Sequence, residues 1–190
     1  MGGRAFEGLA AQGLFACVMD FCMQEFTNGV HGSVVNSGAD RLSSAGRAGT
    51  PQIVAPGASD LVDLPAWSEI PEKWRQRPYH AHNRLIGSVA ITPDERRHTA
   101  REIGRKLAAA TGPVHVILPT RGIAEWDKPG EPAHDPEGLD AFLDEMRTAI
   151  RAPVHLSEID AHINDRAFAD KALEIFDAWV ADGMVRTAAE

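Results

Sequence analysis

The residues best equipped for chemistry lie in Leu156-Ser157-Glu158-Ile159-Asp160-Ala161-His162-Ile163-Asn164-Asp165. Asp160 and His162 form the candidate catalytic pair: the imidazole exchanges a proton near neutral pH, and a neighbouring carboxylate fixes its tautomer. Asn164 joins the candidate ligand-binding groups, while Asp165 is placed to cap the helix that follows. A second source of chemistry is Pro119-Thr120-Arg121-Gly122, where Arg121 can grip a phosphate or carboxylate through two parallel hydrogen bonds. The same guanidinium can equally serve as an ion-pair partner for a nearby acid. Gly57 and Asp60, in Pro56-Gly57-Ala58-Ser59-Asp60, offer a turn and a carboxylate. Their alternative is a turn in which Ser59 or Asp60 caps a short helix.

These groups act together only if the chain delivers them to one place, which strands alternating with helices would do. Leu14 to Phe21, Pro51 to Ala55, Val114 to Leu118 and Pro153 to Leu156 read as buried strands, each running into one of the polar loops. Helical stripes lie between them. Thr92-Pro93-Asp94-Glu95 is a capping box with proline in the first turn, ahead of Ala100, Ile103 and Leu107. Asp135-Pro136 opens a helix carrying Leu139, Phe142, Leu143 and Met146. Phe168, Ala172, Leu173, Phe176, Trp179 and Val180 share the last apolar face. The alternation predicts an α/β fold, Rossmann-like and doubly wound, with a mainly parallel sheet flanked by helices. Ligands of such sheets bind beyond the carboxyl ends of the strands, so Asp20, Asp60, Arg121, Asp160 and His162 are expected around one hollow.

The remaining segments are less regular. Gly2 and Gly3, followed by Arg4, open a short helix whose free N–H groups could hold a phosphate, although two glycines can equally be plain chain flexibility. Gln24 to Gly38 reads as a loop or broken helix, and Ser37-Gly38 starts a short helix ending near Gly49. The stretch 63–77, with Trp67 and Trp74 among prolines and charges, reads as a surface excursion with aromatic anchors. His80 and His82 fall on one side of a strand from Tyr79 to His82 that pairs back with Ile86 to Ile91; they could share a metal or line a half-polar edge. Arg96, Arg97, Arg101, Arg105 and Lys106 read as the solvated face of their helix.

A length of 190 residues fits one domain over 1–190. Hydrophobic residues at 44% and charged residues at 24% are globular values. The net charge of -8 opposes a general nucleic-acid-binding role. The chain has neither an apolar run long enough to span a bilayer nor a signal-peptide pattern, so no membrane partner and a cytoplasmic location are expected. Cys17 and Cys22 lack metal-ligand spacing; Cys17 reads as a buried thiol, and Cys22 falls at a strand end where a nucleophile could stand.

Taken in series, Gly2-Gly3-Arg4-Ala5-Phe6-Glu7, Ser37-Gly38-Ala39-Asp40-Arg41-Leu42, the run from Pro51 to Asp60, His82-Asn83, Pro119 to Gly122, His134-Asp135-Pro136-Glu137 and Asp160 to Asp165 cover nearly the whole chain in order. The series resembles an uncharacterised bacterial and plant protein family that includes the ATP-binding, helicase-inhibiting domain of the tomato mosaic virus resistance protein. The resemblance implies two Rossmann-like halves, of which this chain is similar to the second. It implies ATP, with magnesium, as ligand class, and a complementary N-terminal-type half or subunit, hence a homo- or hetero-oligomer. Two departures accompany it: the family's longer Gly-Thr-Gly-Gly-Arg run is reduced to Gly2-Gly3-Arg4, and its threonine run is replaced by Cys22-Met23-Gln24 before Glu25. Three functions follow as expectations. The first is a nucleotide-binding module using Gly2, Gly3, Arg4, Ser37, Gly38, Gly57, Asp60, Arg121, Gly122 and Asn164. The second is a metal-assisted hydrolase or lyase on a small carboxylate or phosphate, built on His162 and Asp160 with metal at His80, His82 or His134. The third is a non-catalytic oligomerisation or regulatory half-domain docking through Trp67 and Trp74.

Overall fold

The computed structural model describes residues 2–185. In chain order the elements are α1 (Gly2–Ala11), β1 (Val18–Asp20), α2 (Gln24–Val30), α3 (Ser44–Arg47), β2 (Gln52–Val54), β3 (Leu61–Pro65), β4 (Tyr79–His80), β5 (Ile86–Ala90), α4 (Pro93–Leu107), β6 (Val114–Pro119), α5 (Pro136–Ala149), β7 (His155–Ile159) and α6 (Arg166–Ala181). Four strands form a parallel sheet in the order β1-β2-β6-β7. Its central strands are apolar at consecutive positions because both faces are covered. Ile53, Ala55 and Ile117 point to one face and pack against Phe168, Ala172, Ile175 and Trp179 of α6. Val54, Val116 and Leu118 point to the other, against Ala100, Ile103 and Leu107 of α4 and Phe142, Leu143 and Met146 of α5. The expected Rossmann-like α/β layering is therefore present. Leu173, read as part of the buried stripe of α6, is 52% exposed instead.

The helix boundaries follow the local chemistry. Thr92 and Glu95 make the reciprocal capping box, and Pro93 occupies the first turn of α4. At α5 the Asp135 carboxylate accepts the N–H of Gly138, and Pro136 follows the cap. Gly13 and Gly49 take left-handed backbone after α1 and α3. Arg96 departs from the expected solvated face: it is 1% exposed, with its guanidinium donating to Ile91 O and Asp135 Oδ2.

A second, antiparallel sheet in the order β3-β5-β4 is inserted between β2 and α4. Val62, Leu64, Trp74, Val89 and Ile91 form its small core. The hairpin-like pairing of β4 with β5 was legible from sequence, whereas β3 was not. Asp60 therefore caps no helix; it leads directly into β3. Within 63–77 the two tryptophans separate, Trp74 at 2% and Trp67 at 72% exposure. No helix among the described residues is long and apolar enough to cross a membrane.

Candidate functional site

The carboxyl ends of β6 and β7 open onto a hollow of about 510 Å3 whose lining includes Thr120, Arg121, Lys128, His134, Asp140 and His162. The loops after the two strands are joined by their backbones, Thr120 N to Ile159 O at 2.9 Å and Arg121 N to Ala161 O at 3.1 Å. Ala161 N also donates to Ile159 O at 2.9 Å, closing a three-residue turn centred on Asp160. That turn sends Asp160 outward and His162 inward.

Asp160 consequently does not orient His162. Its carboxylate meets Arg121 in a two-point pair, Nε to Oδ1 at 2.6 Å and Nη2 to Oδ2 at 2.8 Å, with both side chains well exposed. The hydrogen bonds from Arg121 hold the Asp160 carboxyl below its usual range. His162 is buried, and its partner is Asp127, with Nε2 2.9 Å from Oδ1 and 3.0 Å from Ala124 O. The N–H of Asn164 donates to His162 Nδ1 at 3.0 Å, so the ring proton belongs on Nε2 and both nitrogens are engaged. The Asn164 side chain reaches across to Glu125 Oε2 at 2.7 Å. Gly122 lies beside this contact with φ of +137°, and a Cβ there would collide with the His162 ring and the Asp127 carboxylate. Asp127 was missed in the sequence because it stands 35 positions from His162 in a loop read only as polar.

Two helix starts border the same hollow. Asp135 and Pro136 open α5, with the cap satisfied as described. Asp165 holds the N-cap position of α6, but its Oδ2 accepts the N–H of His162 at 2.8 Å and caps no first-turn donor. The 16-residue α6 therefore begins with uncapped N–H groups and the positive end of its dipole near the cavity. His134 Nδ1 lies 2.8 Å from Asp127 O; a carbonyl can only accept, so Nδ1 carries a proton there.

The remaining candidates lie elsewhere. Gly2 and Gly3 begin α1 beside the end of β1, and the Gly3 N–H donates to Glu25 Oε2 at 2.8 Å. The position expected for a phosphate is thus held by the protein's own carboxylate. Arg4 is exposed, Ser37 is buried with its hydroxyl unpartnered among the described residues, and Gly38 has φ of +96°. Asp20 is taken up by Arg41, a buried guanidinium that also donates to Cys22 O at 2.7 Å and lies 3.4 Å from Glu7. Gly57 is a packing glycine, since a Cβ would strike Phe21 O. Asp60 is 0% exposed with neither oxygen partnered among the described residues. Burial pushes its carboxyl up to about 6, with nearby Arg96 pulling the other way.

The sheet order explains the separation. β1 and β7 are opposite edges, and three strand spacings put their ends roughly 14 Å apart. Arg121, Gly122, Asp160, His162 and Asn164 gather at one end, while Gly2, Gly3, Arg4, Ser37 and Gly38 gather at the other. His80 and His82, spaced to share a metal, both pack on Trp126 at ring-centroid distances of 3.9 and 5.3 Å. No group of three His, Cys, Asp or Glu side chains among the described residues is arranged to hold a metal ion.

Comparison with known proteins matches residues 1–180 to the uncharacterised protein family (UPF0261) C-terminal domain. A UPF0261 protein of Brucella melitensis biotype 1 is 58% identical over 185 residues, covering 97% of this chain and 44% of that protein. A UPF0261 protein of Clostridium tetani is 32% identical over 88% of this chain and 42% of its own length. The ToMV resistance protein Tm-1(GCR237) of Solanum lycopersicum is 29% identical over 93% of this chain and 24% of its own length. The chain belongs to the UPF0261 family, and it spans less than half the length of the curated relatives it matches.

Proposed function

We propose, starting from membership of the UPF0261 family, that this chain is a nucleotide-binding α/β module for ATP with magnesium, working with a complementary half. The observation that carries the reading is that Arg121, Lys128 and the uncapped start of α6 border one hollow at the carboxyl edge of a parallel sheet. Arg121 would exchange the Asp160 carboxylate for a phosphate of similar two-point geometry. Asp140 and Asp165 also line this hollow, and either would suit a magnesium ion that keeps its water and takes one or two carboxylates beside the phosphates. Pro129, Pro136 and Leu139 supply apolar surface for a base. The need for a partner is supported by relatives more than twice as long as the matched region.

Titration of MgATP by calorimetry, into this chain alone and into it mixed with the remainder of a full-length relative, tests the reading. Saturable binding in at least one condition is expected, weakened about 10- to 100-fold by Arg121→Ala, the range for losing hydrogen bonds to a charged group. Absence of saturable binding in both conditions overturns it. A hydrolase or lyase centred on His162 has less support, because both ring nitrogens are engaged and Asp160 is turned away. An oligomerisation role through the tryptophans retains Trp67 alone as an exposed anchor of the two.

A further inference from the structure

Where the loops following β1, β2 and β6 meet the second sheet they border an open cavity of about 250 Å3 that shares no residue with the hollow above. Cys22 and Ala58 border it from the carboxyl edge of the parallel sheet, Glu125 and Trp126 from the loop after β6, and Asp63 and His82 from the second sheet. Three strand ends converge there, in the region of an open α/β sheet where ligands ordinarily bind.

The lining contains carboxylates and no lysine or arginine. Asp63 is half-buried, and its oxygens accept from the Ser88 hydroxyl at 2.6 Å and the Asn28 amide at 3.2 Å. Both donors are neutral, and no ammonium or guanidinium pairs with Asp63 among the described residues. Glu125 brings a second carboxylate, whose Oε2 is held by Lys128 and by the Asn164 amide, each at 2.7 Å, while its Oε1 has no hydrogen-bond partner among the described residues. The half-buried Trp126 adds an indole to the lining, packed against His80 and His82. Ala58 holds the left-handed region at φ of +54°, with its N–H fixed on Ile123 O at 2.7 Å, so the loops after β2 and β6 are tied together beside the cavity. Carboxylates beside an aromatic ring in a partly desolvated space repel phosphates and attract positive charge.

We propose that this cavity is a second binding site, for a small organic cation whose ammonium or guanidinium group lies between Asp63, Glu125 and the Trp126 ring. Its volume limits the ligand to a few heavy atoms beyond the charged group. Its charge makes it complementary to the anion-binding hollow, to which Glu125 is linked through Lys128 and Asn164.

Cys22 provides the readout. It is exposed at the cavity, whereas the half-buried Cys17 thiol is pushed up to about 11 and stays unreactive at neutral pH. The neutral reagent iodoacetamide alkylates Cys22, its thiolate displacing iodide, and methylguanidinium is expected to slow that reaction saturably. The cationic aminoethyl methanethiosulfonate should modify Cys22 roughly tenfold faster relative to its anionic sulfonatoethyl counterpart than it does in the urea-unfolded chain. Glu125→Gln, at an exposed position, should reduce both effects without unfolding the protein, and Asp63→Asn provides a second variant. No saturable protection by methylguanidinium overturns the proposal whatever the reagent rates. Equal protection by a neutral polyol such as sorbitol overturns it too.

Discussion

His162 Nε2 lies 2.9 Å from Asp127 Oδ1, and room for that contact exists because residue 122 is a glycine. Both side chains are almost wholly buried, at 7% and 6% exposure. Asp127 also accepts the N–H groups of Ile123 at 2.5 Å and Ala124 at 3.1 Å. One carboxylate thus ties the loop after β6 to the loop after β7 and sets where Arg121 and the start of α6 stand.

Asp127→Ala leaves the buried N–H groups of Ile123 and Ala124 without an acceptor and His162 Nε2 with Ala124 O alone. A loss of about 3 to 5 kcal/mol in unfolding free energy is expected, measured by urea denaturation. A loss below about 1 kcal/mol would mean that water or a rearranged loop replaces the network.

Gly122→Ala places a methyl group against the same pair and strains the backbone at its positive φ. The expected cost is roughly 2 to 4 kcal/mol from overpacking and strain together. Because it acts on the Asp127–His162 contact, combining it with Asp127→Ala should cost less than the two added separately. Full additivity in the double variant would show that the glycine serves something else.

Asp60 predicts a pH dependence with an unusual sign. Its carboxyl is raised from 3.8 to about 6 by burial, so between these values the folded chain holds the extra proton. Stability contributed by this group is therefore fully present below about pH 4, falls as pH rises to about 6, by on the order of 3 kcal/mol, and then stays level. Asp60→Asn removes the titration. The variant minus parent difference in urea midpoint should grow from near zero in acid to a stabilisation at neutral pH; a difference independent of pH would refute the assignment.

Arg41→Met strands the buried carboxylate of Asp20 at the end of β1, while Glu7 of α1 keeps the N–H groups of Leu42 and Ser44. Breaking a buried pair in this way costs about 3 to 5 kcal/mol. Adding Asp20→Asn should recover part of the loss, since a neutral amide needs no counter-charge. Thermal denaturation of the parent and the two variants checks the order; a double variant no better than Arg41→Met alone would argue against the pairing.

What could be read from the chain and what could not divides by distance along it. The capping box at Thr92 and Glu95, the Asp135-Pro136 start of α5 and the glycine after α1 are contacts among residues a few positions apart, so composition was sufficient for them. The consecutive apolar residues of β2 and β6 required cover on both faces, which pointed to a parallel sheet. The strand in Leu61–Pro65 was hidden because proline and an acid made its neighbourhood resemble a loop.

By itself the sequence determined the α/β alternation, most helix boundaries and the set of polar groups at the strand ends, because these depend on local periodicity and capping. Only the tertiary structure decided which of those groups meet. A three-residue turn separated Asp160 from His162, two positions away, while the approach of β6 and β7 brought His162 to Asp127. The strand order set the glycine start of α1, beside edge strand β1, two strands away from Arg121 after β6, and packing buried Arg41 and Arg96 among distant acids. Such pairings arise from the burial of apolar surface over the whole chain, and no short window of sequence contains both partners.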